Sequence, residues 1–271
     1  MVSQQEDATR HLIIQKRDSL DKKGLLEAVT RAIDEAPEIG TFVFVHGFNV
    51  PFDDAILRTA QLAWDMKFKG PAITYSWPSA AVTRGYVSDI DMADWTAPHL
   101  SSFLQDLRAH TGKRTVHLVA HSMGSRILSV ALDRLSLTQP KTIDHFQEVV
   151  LAAPDINTKV LSQLSVALRS EADRVTIYAS GRDRALQFSD FLRTFWRERS
   201  PRVGSKATEI NLPQFDIIDA TRARFSLIGH SYFAEDTLLL NDISLLLKQR
   251  LKPDDRSITL DKVGNMWVLK P

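Results

Sequence analysis

The run Thr115-Val116-His117-Leu118-Val119-Ala120-His121-Ser122-Met123-Gly124 decides the fold. Residues 115–120 are largely β-branched or apolar and read as a strand buried on both faces, while residues 124–135 carry apolar positions at helical spacing. A serine therefore stands on the turn between a strand and a helix, with the small residues Ala120 and Gly124 two positions to either side. That spacing has a physical reason: on a sharp strand-to-helix turn the hydroxyl projects above the sheet, and the flanking positions must be small because the two backbones nearly touch. The helix start also turns free N–H groups and a positive dipole end toward any negative charge that forms nearby. The bland role for such a serine is a helix N-cap. No other serine in the chain has small residues at both flanking positions; Gly229-His230-Ser231-Tyr232-Phe233 comes nearest and ends on a large ring.

Outward from this turn the same alternation repeats. Residues 41–45, 72–76, 147–152, 174–179 and 214–219 read as strands, and residues 53–66, 99–110, 157–169, 184–197 and 237–250 as helices. Asp53 or Asp54 is expected to cap the first of these helices. Strands alternating with helices predict an α/β architecture with a doubly wound, mostly parallel sheet and helices on both faces. Ahead of it, residues 1–39 form an arm and an amphipathic helix through Leu25, Leu26, Val29 and Ile33. The α/β domain covers 40–251. Residues 252–271 are a polar tail that closes as a hairpin through Gly264-Asn265. Residues 80–98 lack a clean period and read as a lid-like excursion above the sheet.

The chain has 271 residues, 44% of them hydrophobic and 25% charged, with 34 basic against 33 acidic residues. A net charge of +1 leaves no surplus to neutralise a run of phosphates, so nucleic acid is not the expected partner. Cysteine is absent, which removes disulfides, thiolate metal sites and a cysteine nucleophile together. No apolar stretch approaches a transmembrane length, and the polar first residues do not read as a signal peptide, so the expected location is cytoplasmic.

A serine nucleophile needs a base, and histidine suits that task near neutrality. Of eight histidines, His11 lies in the N-terminal arm, His110 ends a helix, His117 is inside the strand that delivers Ser122, and His145 precedes its strand. His99 belongs to the excursion, His121 points elsewhere on the turn, and His46, beside Gly47, has a loop role. His230 remains, in a loop after a late strand. His117 and His121 lie on a strand and turn, where their rings do not share a face, so no metal site is expected. The acid that holds the imidazole follows a late strand: Asp183 is preferred because the order Ser, Asp, His then follows successive strands, and Asp155 is the rival. The backbone N–H groups of Phe48 and Met123 form the oxyanion hole, with Gly47 letting the chain turn close to substrate. Among the aromatics near this edge, Tyr86 and Tyr232 are the substrate-lining candidates.

With Ser122, Asp183, His230 and the His46-Gly47 turn in this order, residues 40–251 resemble the α/β-hydrolase superfamily, and most of all a poorly characterised bacterial branch of it. Phe44-Val45-His46-Gly47-Phe48-Asn49, Ser76-Trp77-Pro78-Ser79, Ala120-His121-Ser122-Met123-Gly124, Ala153-Pro154-Asp155 and Gly229-His230-Ser231-Tyr232 carry the resemblance. It implies a nucleophile elbow after the fifth strand, no cofactor, and a small-molecule carboxylic ester or related acyl substrate. Ala120 departs from the glycine usual at the elbow. The leading expectation is a serine hydrolase working through an acyl-enzyme. The alternatives are a non-catalytic binding or scaffolding module on the same fold, and a thioesterase or amidase using the same triad.

Overall fold

The computed structural model describes residues 12–80, 82, 85–138, 145–180, 207, 210–221, 237–264 and 266–270. After α1 (Lys22–Asp34) the chain alternates: β1 (Thr41–Val45), α2 (Phe52–Asp65), β2 (Ala72–Tyr75), α3 (Tyr86–Thr111), β3 (Val116–His121), α4 (Met123–Thr138), β4 (Phe146–Ala152), α5 (Thr158–Glu171) and β5 (Ala172–Ala179). Strand β6 (Asp216–Asp219), helix α6 (Thr237–Gln249), a short 3-10 turn (Pro253–Asp255), and strands β7 (Leu260–Val263) and β8 (Met266–Leu269) complete the described elements. All eight described strands belong to one sheet of order β2-β1-β3-β4-β5-β6-β8-β7. Every pairing is parallel except β7 with β8.

The alternation of side chains along each strand sends residues to two separate cores. Val43, Val45, Leu118, Ala120, Val149 and Leu151 join one core with residues of α1, α3, α4 and α5. Phe42, Phe44, Val119, Val150, Tyr178 and Ile218 join the other with Leu62 of α2 and Leu239, Ile243 and Leu246 of α6. Both faces are covered, which is why β1 and β3 are buried along their whole length.

Three expectations are corrected. The excursion at 80–98 is helical from residue 86 onward and forms one long helix with the segment expected at 99–110; Pro98 sits inside it. Its periodicity was obscured because its buried stripe is partly polar or small, running through Asp89, Ala93, Thr96 and Ala97 before Leu100 and Leu104. Pro51 occupies the N-cap of α2, so Asp53 and Asp54 lie in its first turn and make no cap bond. The Ser122 turn follows the third described strand rather than the fifth, because the described residues ahead of β1 supply the helix α1 and no strand. The tail closes as the expected hairpin and adds two strands to the sheet, with β8 pairing with β6.

Candidate functional site

The carboxyl ends of β1, β3, β4 and β5 lie side by side, with Val45 against Ala120, His121 against Ala152, and Ala152 against Tyr178. In a parallel sheet this is the edge where loops can gather a site. Ser122 follows β3 with a left-handed backbone, φ 50°, and donates its N–H to Ala152 O at 3.0 Å. Its own carbonyl accepts from Ser125 N at 3.0 Å and from Asp155 N at 3.1 Å, so the turn is tied to α4 and to the loop after β4. A Cβ on Gly124 would stand 2.3 Å from Val45 O and 2.5 Å from His46 O, which explains the small residue at this spacing. Met123 opens α4 and is buried; its N–H, in the first turn, has no partner within the helix.

The loop after β1 comes to the same place. A Cβ on Gly47 would lie 3.0 Å from His121 Nδ1 and 3.1 Å from Ser122 Cβ, so the chain passes directly against the serine. Phe48 follows and meets the ring of Tyr86 edge-on at 5.4 Å between centroids. Tyr86 is buried, and its hydroxyl donates to Asp155 Oδ2 at 2.7 Å. The cap of α5 is Asn157, whose side chain accepts from Lys159 N, so Asp155 is not engaged as a helix cap. Ser122, Met123, Phe48, Tyr86 and Asp155 are thus brought together. Asp183, His230 and Tyr232 lie outside the described residues.

Two buried histidines border the turn. Burial pulls the His121 ring down to a pKa of about 3, with lesser contributions from Arg58 and His46. Burial likewise lowers His46 to about 4, opposed by its hydrogen bond to Gly47 O and aided by the Arg58 charge. Both rings are neutral at pH 7 and too weakly basic to serve as a general base there. His46 lies in the loop after β1, as expected, and is held there on several sides. It stacks on Trp77 at 5.3 Å and 10°, its Nε2 accepts from Trp77 N at 3.2 Å, and Trp77 Nε1 donates to His46 O at 2.8 Å. Val45 pairs with Tyr75, so the residues following β1 and β2 are neighbours, a register that nothing in the local sequence announces. Beyond Trp77, Asp89 of α3 accepts from Ser79 Oγ and Ala80 N, each at 2.7 Å, and fixes the path of that loop. Among the described residues no group of three or more His, Asp or Glu is placed to hold a metal ion, and no helix is long and apolar enough to cross a membrane.

Comparison with known proteins gives one family match: residues 22–250 fit the model described as alpha/beta hydrolase of unknown function (DUF900). No curated protein matches the chain. Among solved structures it is similar to a Trichoderma reesei cutinase in complex with a C11Y4 phosphonate inhibitor, at 17% identity and a TM-score of 0.29. That alignment covers 48% of this chain and 64% of the cutinase.

Proposed function

Because the chain belongs to the DUF900 family of alpha/beta hydrolases of unknown function, we propose that it cleaves a carboxylic ester or related acyl bond through an acyl-enzyme at Ser122. Ser122 Oγ attacks the substrate carbonyl while His230 takes its proton, and Asp183 holds the imidazole and stabilises its charge. The N–H groups of Phe48 and Met123 receive the oxyanion. Collapse of the tetrahedral intermediate breaks the bond to the leaving group, which departs with the proton from His230. Water, deprotonated by the same ring, then releases the acid and restores the serine. Tyr86 and Tyr232 border the acyl group in this reading.

The observation that carries it is the left-handed backbone of Ser122 at the mouth of β3, with Gly47 packed against it. An N-cap serine has an extended backbone instead, and a non-glycine residue held at positive φ costs on the order of 1–3 kcal/mol, which the surrounding packing must sustain. A fluorophosphonate probe is expected to label Ser122 in the parent, with p-nitrophenyl ester turnover lost in Ser122→Ala. A folded parent that neither labels nor turns over, and behaves like Ser122→Ala, overturns the reading and leaves the binding-module alternative. Competition among ester, thioester and amide analogues of one acyl group identifies the bond.

One observation favours a second assignment of the acid. The Asp155 carboxylate is held by Tyr86 one loop away from the serine, and its N–H bonds the serine carbonyl. Asp155→Asn and Asp183→Asn separate the two: loss of the orienting carboxylate drops kcat about 10⁴-fold, and the variant that shows this loss identifies the acid.

A further inference from the structure

The bonds around His46 fix more than the path of its loop. Nε2 of an imidazole accepts a hydrogen bond only when it carries no proton, and here it accepts the Trp77 N–H at 3.2 Å, with Ser76 Oγ a further neighbour at 3.5 Å. The one proton of the neutral ring therefore sits on Nδ1, which faces Gly47 O at 2.8 Å and donates to it. Gly47 O and Phe48 N–H belong to the same peptide unit. No peptide bond in the described chain is cis, so these two groups lie in one plane and point in opposite directions. Holding the carbonyl toward the imidazole thus fixes where the Phe48 N–H points. The preceding peptide is fixed as well, because His46 O is held by the Trp77 indole N–H at 2.8 Å. This doubly fastened stretch is the one that passes Ser122, with the Gly47 Cβ position 3.1 Å from Ser122 Cβ.

We propose that His46 is a positioning residue for the oxyanion hole: its Nδ1–H, set in place by the Trp77 backbone, orients the Gly47–Phe48 peptide so that the Phe48 N–H meets the charge developing on the substrate carbonyl. The inference rests on the acyl-enzyme reading of Ser122. His46 touches no reacting atom in it; its whole effect passes through one peptide plane. Burial that keeps the ring neutral to about pH 4 preserves the arrangement across the working range of a serine hydrolase.

The test uses the full chain with p-nitrophenyl butyrate, comparing the parent, His46→Ala, His46→Asn and Ser122→Ala, each checked for a cooperative thermal melt. A donor misplaced by about 1 Å costs on the order of 100-fold, so His46→Ala is expected to lose roughly that factor in kcat while KM changes less than about threefold. His46→Asn, whose amide N–H can still reach the Gly47 carbonyl, recovers part of the loss. A folded His46→Ala with kcat within threefold of the parent overturns the proposal while parent labelling at Ser122 keeps the acyl-enzyme reading; an unlabelled, inactive parent overturns both. Should His46→Ala not fold, ¹⁵N resonances of the imidazole in the parent at pH 7 decide: a proton on Nδ1 and a bare Nε2 are expected, and a protonated Nε2 overturns the proposal.

Discussion

At the turn that carries Ser122, single atoms set the tolerance. Gly124 is the clearest case, because any side chain there begins inside the contact distance of two backbone carbonyls, which cannot move aside as a flexible side chain can. Gly124→Ala is expected to lower stability by about 1–3 kcal/mol and to depress ester turnover further, by pushing β1 away from the serine; urea melts alongside initial rates check both. This much was legible in the sequence, since the requirement is local and appears as spacing around one serine. The Tyr86–Asp155 bond was not, because its partners stand 69 residues apart and nothing in either neighbourhood announces the other. His46 was legible as a residue but not as a clamp. Its role comes from Trp77, in the loop just after β2, and only the register of β1 with β2 puts the two in reach.

Helix α3 shows why an element can be hidden in its own sequence. A proline inside it and an acidic residue on its buried side both argue against a helix, yet the helix runs through Pro98 and the Asp89 carboxylate accepts from the Ser79 hydroxyl and the Ala80 N–H instead of facing an apolar neighbour. A buried group with both oxygens engaged fastens the helix to the loop that supports His46. Replacing it by alanine leaves the Ala80 N–H and the Ser79 hydroxyl without their acceptor, a loss of about 1–3 kcal/mol. Asp89→Ala is accordingly expected to lower the thermal midpoint and to speed amide exchange in residues 77–80, measured by hydrogen–deuterium exchange. The β-strands were easier, because burial on both faces writes itself as consecutive apolar residues. Their order across the sheet was less so: the sequence pattern does not say that β8 enters between β6 and β7.

Across the whole molecule, buried charge joins parts that are distant in the chain. Asp242 of α6 accepts from the Tyr178 hydroxyl at 2.6 Å, from Thr259, and from Arg256, all of them buried. Arg256→Ala leaves the carboxylate without its counter-ion, a change that costs about 3–5 kcal/mol, and is expected to lower the midpoint of chemical denaturation correspondingly. Acid is the second global lever. His46, His117 and His121 are buried, and burial holds their pKa values at about 4, 3 and 3 against an ordinary 6.5. The unfolded chain takes up these protons first, so their contribution is intact above pH 6.5 and is lost progressively as pH falls from there through 4 to about 3. Glu148, raised by burial from 4.5 to about 7, acts in the opposite sense and costs stability as pH rises through that interval. Neither ring nitrogen of His117 has a hydrogen-bond partner among the described residues. His117→Leu should therefore flatten the acid side of the stability–pH curve and raise stability at pH 5 relative to the parent. An unchanged slope in denaturation series from pH 7 to pH 4.5 contradicts this.

The insertion of β8 beside β6, with β7 outermost, has a kinetic corollary. Among the described residues strand β7 pairs only with β8, so it has no separate docking step: the hairpin arrives and departs as a unit. Protected amides in Leu260–Val263 and Met266–Leu269 should accordingly report one shared opening free energy, that of a single cooperative foldon.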